Sequence, residues 1–241
     1  MALIYNYFYG FKKKFLPARV VTIVGLIMMF LSSGDVFGDN DYALSKPTTW
    51  DGWFNEGNKA FWASQYDKAI ECYQESIKLK PGYAAAYRSM AYIYSEKKGD
   101  YDNAIKCYKK SIKSDPKNAT AHYNLGIIYA QNKKDYKKAV KCYKKAIKIR
   151  PTFTNAYYNM GRTYQDNKKN YKEVIKCFDK AIELDPNFAK PYHNKGKVYS
   201  LLGKQKEAVE LHKIAARLGS EDAQQLLNDI GIAWQENEDS K

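Results

Sequence analysis

AIECYQESIKLKP (69–81), AIKCYKKSIKSDP (104–116), AVKCYKKAIKIRP (139–151) and VIKCFDKAIELDP (174–186) are one phrase written four times, and AVELHKIAARLGS (208–220) is a looser fifth copy. The closing prolines Pro81, Pro116, Pro151 and Pro186 stand 35 residues apart. Each copy has an apolar residue at its second and ninth positions and a small one at its eighth, which is the spacing of one helix face. Proline has no backbone N–H with which to extend a helix, so each phrase predicts a helix that stops at its end.

A second phrase precedes each of these: WFNEGNKAFW (53–62), YRSMAYIYSE (87–96), HYNLGIIYAQ (122–131), YYNMGRTYQD (157–166) and YHNKGKVYSL (192–201). A ring comes first and a small residue fifth (Gly57, Ala91, Gly126, Gly161, Gly196), and four copies have a tyrosine eighth (Tyr94, Tyr129, Tyr164, Tyr199). Glycine inside a helix costs about 1 kcal/mol against alanine. Its return in register predicts a packing reason, and we expect two helix backbones to approach closely there.

Paired helical phrases at a fixed period are the mark of a repeat architecture. The fourth unit carries Tyr157, Met160, Gly161, Tyr164, Val174, Phe178, Ala181 and Pro186, and this pattern resembles the tetratricopeptide repeat. The resemblance spans roughly residues 50–220. It implies an all-α, right-handed superhelical solenoid of five helix pairs, whose first helices line a concave groove and whose second helices face outward. Units two to four depart from it by one extra residue between their helices, in EKKGDYDN, QNKKDYKK and DNKKNYKE. Glu56, Ala60 and Lys195 replace expected apolar or aromatic residues in the end units. One helix pair cannot bury its own apolar face, so we expect stacking to create a single uninterrupted seam.

The expected organisation is a signal peptide or N-terminal membrane anchor (1–38), a linker (39–49) and five repeats over 50–219 (about 50–83, 84–118, 119–153, 154–188 and 189–219). A capping helix (220–234) and a tail (235–241) follow. In the capping stretch Ala223, Leu226, Leu227 and Ile230 lie at helical spacing. Near the start, Lys12, Lys13, Lys14 and Arg19 precede the uncharged run Val20–Leu31, and small residues lead to Gly38. That is the three-part layout of an export signal, and the run is short for a membrane span. The repeats are therefore expected outside the cytoplasm, either exported or anchored, with membrane contact through residues 12–31 if the segment is retained.

The chain has 241 residues with a formal net charge of +14, and 45% of them are hydrophobic, enough for a substantial core. Four cysteines and three histidines are a thin supply for zinc or acid–base chemistry. Cys72, Cys107, Cys142 and Cys177 recur at one repeat position. A disulfide needs α-carbons within about 7 Å, and stacked helices stand about 8–10 Å apart, so these are expected to be small core residues. No paired-histidine zinc motif, glycine-rich phosphate loop or serine elbow is present, and we expect neither catalysis nor a metal or cofactor.

On the first helices, Asn55, Ser89, Asn124, Asn159 and Asn194 form a ladder, preceded by Phe54, Arg88, Tyr123, Tyr158 and His193. Asn58, Tyr92, Ile127, Arg162 and Lys197 follow one helical turn later. The candidate peptide-binding groove is thus Asn55, Asn58, Arg88, Tyr92, Tyr123, Asn124, Tyr158, Asn159, Arg162, Lys190, His193, Asn194 and Lys197. The amides would bond a guest's backbone and the rings would hold its side chains; alternatively, the amides bond neighbouring repeats. Arg162, Lys190, His193 and Lys197 predict a basic C-terminal half suited to an acidic peptide. The carboxylate clamp of chaperone-binding tetratricopeptide domains is not reproduced, because Phe54 and Asn124 stand where it needs lysine and arginine.

The second helices carry Lys106, Lys109, Lys110, Lys113, Lys137, Lys138, Lys141, Lys144, Lys145 and Lys148. No rings interleave there to stack bases, so nucleic acid is not the expected partner. The expected function is a scaffold that holds a peptide or helix of another protein. The alternative is an electrostatic adaptor that docks these lysines on an anionic surface or polymer.

Overall fold

The computed structural model describes residues 46–167 and 170–235. The expected leader and most of the linker and of the tail lie outside the described residues. Eleven α-helices follow one another among the described residues: α1 Trp50–Trp62, α2 Tyr66–Leu79, α3 Ala84–Tyr92, α4 Tyr101–Ser114, α5 Ala119–Ile127, α6 Tyr136–Ile149, α7 Thr154–Asp166, α8 Tyr171–Leu184, α9 Ala189–Leu201, α10 Gln205–Arg217 and α11 Glu221–Asp229. Each odd helix up to α9 pairs with the next, and each pair stacks on its sequence neighbours, which makes a helical solenoid.

Local chemistry sets the boundaries. Side-chain oxygens of Thr49, Asp100, Asn118, Asp135, Asn170 and Ser220 accept from backbone N–H groups at the starts of α1, α4, α5, α6, α8 and α11. The extra residue of units two and three is absorbed by a wide π-helical turn, Ile93–Lys97 after α3 and Ile128–Asn132 after α5. There Lys98 N–H donates to the Ile93 carbonyl at 3.1 Å and Lys133 N–H to that of Ile128 at 3.0 Å. Units one and five lack the insertion and turn through a left-handed residue, Ser64 or Gly203.

The registered glycines face rings, which corrects the expectation of closely approaching backbones. A Cβ added to Gly57 would lie 2.6 Å from the Tyr73 ring, and at Gly126, Gly161 and Gly196 the rings of Tyr143, Phe178 and His212 would lie 2.7 Å away. In these four units the second helix thus seats a ring on the first helix, so close that an added Cβ would force one of them to shift. In the second unit Ala91 stands at this position and Tyr108 holds the ring's place, both buried.

The buried apolar seam breaks before its last cluster, while Tyr157 and Tyr164 pack against both of the others. One cluster runs from Ala60 to Cys177, a second gathers Tyr158, Val174, Phe178, Ala181 and Val198, and a third comprises Ala215, Ala216, Ala223 and Leu227. The break before the third cluster falls at unit five, where His193 and His212 occupy ring positions. Within the capping stretch Ala223 and Leu227 are buried, but Ile230 is 52% exposed. Gly231 adopts a left-handed conformation at φ 68° and turns the chain back, so Ile232 and Trp234 cover the edge in its place.

Replacing Gly161 with alanine sets a helix-propensity gain of about 1 kcal/mol against overpacking of roughly 1–3 kcal/mol. We expect a net loss of about 1 kcal/mol in urea unfolding; an unchanged or raised midpoint would show that the Phe178 ring can move aside.

Candidate peptide-binding groove

The ring that precedes each ladder position packs inward. Phe54 lies 5.4 Å from Tyr73 and 5.1 Å from Tyr83, Tyr123 lies 6.0 Å from Tyr143 and 4.7 Å from Phe153, and Tyr158 lies 5.9 Å from Phe178 and 5.1 Å from Phe188 (ring centroids). Each such ring sits between its own second helix and the turn leading to the next unit. Tyr158 is 8% and His193 7% exposed. Both were expected to hold a guest's side chains; the structure makes them core, because the solenoid needs rings there to fill the space between units. Tyr123 is half-buried in the same column.

The ladder amides reach back across the repeat boundary. Asn124 Nδ2 donates to the Tyr108 hydroxyl at 3.2 Å, Asn159 Nδ2 to that of Tyr123 at 2.8 Å, and Asn194 Nδ2 to that of Tyr158 at 3.0 Å. Within the first unit, the Tyr73 hydroxyl donates to Oδ1 of Asn58, one turn beyond the ladder position, at 2.8 Å. These bonds give otherwise buried phenols a partner. Burial pushes the phenols upward, that of Tyr108 to about 12, so they stay protonated donors and acceptors. Asn55 is exposed, as are Tyr92, Arg162, Lys190 and Lys197, and Arg88 is half-buried.

Two clefts open along the first helices. The N-terminal cleft, about 700 Å³, spans α1, α3 and α5 and is lined by Asn58, Phe61, Trp62, Tyr66, Arg88, Ser89, Tyr92, Lys97 and Asn124, among others. The C-terminal cleft, about 740 Å³, spans α7, α9 and α11 and includes Gln165, His193, Lys197, His212, Asp222, Gln225, Leu226 and Asp229. Of the expected groove residues, the first cleft gathers Asn58, Arg88, Tyr92 and Asn124, and the second His193 and Lys197. Asn55, Tyr123, Tyr158, Asn159, Arg162, Lys190 and Asn194 line neither. Sequence reasoning missed Phe61, Trp62, Tyr66, Lys97, Asp222 and Asp229. Trp62 offered a signal, being a large ring outside the repeat pattern at the end of a phrase.

The C-terminal half is not uniformly basic, which corrects the charge expectation. Asp222 and Asp229 on α11 face the same cleft as Lys197. The two imidazoles lie 4.9 Å apart between centroids, and the Nδ1 atoms of both are buried without a hydrogen-bond partner among the described residues. Burial, with Lys197 nearby and Asp222 opposing weakly, lowers His193. Burial, His193 and Lys197 lower His212 to about 4.

The outer face is cationic. All ten lysines on α4 and α6 are exposed, and Lys137, Lys141, Lys144, Lys145 and Lys148 ring Val140 in a shallow depression of about 390 Å³. The four cysteines are free thiols. Burial pushes the thiols of Cys107 and Cys142 up to about 11 and that of Cys177 to about 12, which suppresses the reactive thiolate. Among the described residues no group of three or more His, Cys, Asp or Glu side chains is arranged to hold a metal ion, and no helix is long and apolar enough to cross a membrane.

Family models described as TPR repeat or tetratricopeptide repeat match residues 50–83, 96–133, 132–168, 154–188 and 177–210. Among solved structures, MamA aligns with a TM-score of 0.64 at 26% identity, covering 70% of this chain and 96% of its own. YrrB, described as a TPR protein with an unusual peptide-binding site, gives 0.63 at 20% identity, covering 74% and 91%. Pseudomonas aeruginosa pilF gives 0.63 at 20% identity, covering 74% and 80%. No curated protein matches the chain significantly.

Asn159→Ala, which removes the bond to Tyr123, should lower stability by about 1 kcal/mol in chemical unfolding; no loss would mean that the amide is dispensable between repeats. Because the folded histidines sit below the unfolded value of about 6.5, the unfolded chain takes up protons first on acidification. The contribution of His212 is complete above about pH 6.5 and is largely lost as pH falls towards 4, roughly 2–3 kcal/mol, and His193 acts in the same direction. Hydrogen exchange over α9–α11 should accelerate across this window, and His212→Phe should flatten the change; a flat wild-type profile would contradict the assignment.

Proposed function

The chain belongs to the tetratricopeptide repeat family, and on that premise we propose that it captures an extended peptide or helix of a partner protein along its first helices. Proteins of this family serve typically as non-enzymatic interaction scaffolds. The observation that carries the reading is the pair of clefts along the first helices, one crossing units one to three and the other crossing units four and five to the capping helix. A guest laid across them would touch several repeats at once, and its contact area would grow with its length. YrrB, similar in fold, is described as having a peptide-binding site. The test is a peptide panel captured by the full chain. Tyr92→Ala and Lys197→Glu should each weaken the peptides bound in their own cleft by about tenfold, equivalent to roughly 1.4 kcal/mol. Lys145→Glu on the outer face should leave capture unchanged, and a reversed pattern would refute the reading.

The lysines around Val140 favour a second reading, docking of the outer helices on an anionic surface. Lys144→Glu with Lys145→Glu would then abolish capture by anionic vesicles at low salt, and 0.5 M salt would do the same to the wild type. We further propose that the repeats act outside the cytoplasm, on the strength of the basic start and apolar run within residues 12–38. The mature chain should begin near Asp39 or partition with membranes; a chain that keeps its first residues and fractionates with the cytosol would exclude both forms.

A further inference from the structure

Unit two breaks the repeat register at the floor of the N-terminal cleft. Where units one, three, four and five place Phe54, Tyr123, Tyr158 and His193, unit two has Arg88, and where the other units carry the ladder asparagine it has Ser89. The turn that follows has Asn118 where Tyr83, Phe153 and Phe188 stand in other units. Unit two therefore contributes no ring at these two positions, and Arg88, half-buried, lines the cleft instead. Tyr92 lies one helical turn beyond Arg88, on the same face.

The wall beside Arg88 is aromatic. Phe61 is its hub, 5.3 Å from Trp62, 6.0 Å from Tyr66 and 5.9 Å from Tyr92. Trp62 is 83% and Tyr92 40% exposed, and rings left together at a surface mark a contact site. Lys97 Nζ stands 5.7 Å from the Tyr66 centroid at the rim. No carboxylate lines the cleft, and among the described residues neither Arg88 nor Lys97 has an ion-pair partner. An aromatic wall alone could attract a cationic guest by its ring faces. Two fixed cations on the same cleft repel such a guest and favour an anion.

We propose that this cleft binds a segment of a partner protein in which a bulky apolar side chain lies beside carboxylates, the ring seated against Phe61, Trp62 and Tyr92 and the acids on Arg88 and Lys97. It rests on the groove reading and gives that groove its chemistry. The C-terminal cleft, which sets Lys197 against Asp222 and Asp229, lacks this one-signed character.

The experiment measures fluorescence anisotropy with the full chain at 0.15 M salt and three labelled octapeptides: one with phenylalanine flanked by glutamates, a twin with glutamines for the glutamates, and a twin with alanine for phenylalanine. The first should bind about tenfold tighter than either twin. Arg88→Gln with Lys97→Gln should remove the preference for glutamate and keep that for phenylalanine, and Trp62→Ala should do the reverse, with helix content and melting unchanged. Equal binding of the three peptides, or indifference to these variants, overturns the proposal. If the peptides fail while a random panel yields others that Tyr92→Ala or Lys197→Glu weakens, the chemistry falls and the groove reading stands. If no peptide binds, both fall. Tryptophan and acids also adjoin at this chain's own C-terminus, in Trp234-Gln235-Glu236-Asn237-Glu238-Asp239. A concentration-dependent mass in light scattering that Arg88→Gln abolishes would make the occupant a second copy, and overturn the foreign partner.

Discussion

The seat of a ring on a side-chain-free patch of helix organises this molecule. In four of the five units a ring from the second helix lies where a Cβ would have to be, over Gly57, Gly126, Gly161 and Gly196. That contact sets how near the two helices of a unit lie and where the ring's polar atom emerges. For Tyr73 it emerges beside Asn58. Around these rings the turn aromatics Tyr83, Phe153 and Phe188 close the space to the next unit. Intra-unit pairing and inter-unit stacking thus share one column of side chains, which is why each unit is complete only with its neighbour in place.

Two units depart from that column in opposite ways. Unit two exchanges a ring for Arg88, which lines the N-terminal cleft. Unit five keeps the volume of two rings as His193 and His212, whose buried Nδ1 atoms lack partners among the described residues. An unpaired buried polar atom costs about 1–3 kcal/mol, so these two positions weigh against the stability of the junction with α11. Where a repeat protein breaks its own rule, either function or strain is concentrated, and the two breaks adjoin the two clefts.

Charge is segregated by helix type. The second helices α4 and α6 expose a dense lysine array, while the first helices carry fewer charges, of which Arg88 and Lys197 line the clefts. A guest reaching the clefts meets local chemistry, whereas the outer lysines act over about a Debye length, roughly 8 Å at physiological salt. Free thiols do not complicate either surface, since burial holds them protonated.

Helix positions, pairing and the repeat family were determined by the sequence alone, because period and proline stops are local rules that successive units repeat and corroborate. The outward lysines were legible for the same reason, since helical periodicity separates faces. The groove residues were legible only in part. Sequence spacing places Asn124, Tyr158 and His193 on the first helices, but whether a side chain faces a guest or a neighbouring unit depends on rings contributed by residues about 20–35 positions away. Only the tertiary structure turned Tyr158 and His193 inward, bound the amides of Asn159 and Asn194 to tyrosines of the preceding unit, gathered Phe61, Trp62 and Tyr66 beside Arg88, and brought Asp222 and Asp229 to Lys197. Packing between units decides these matters, and no local pattern encodes it.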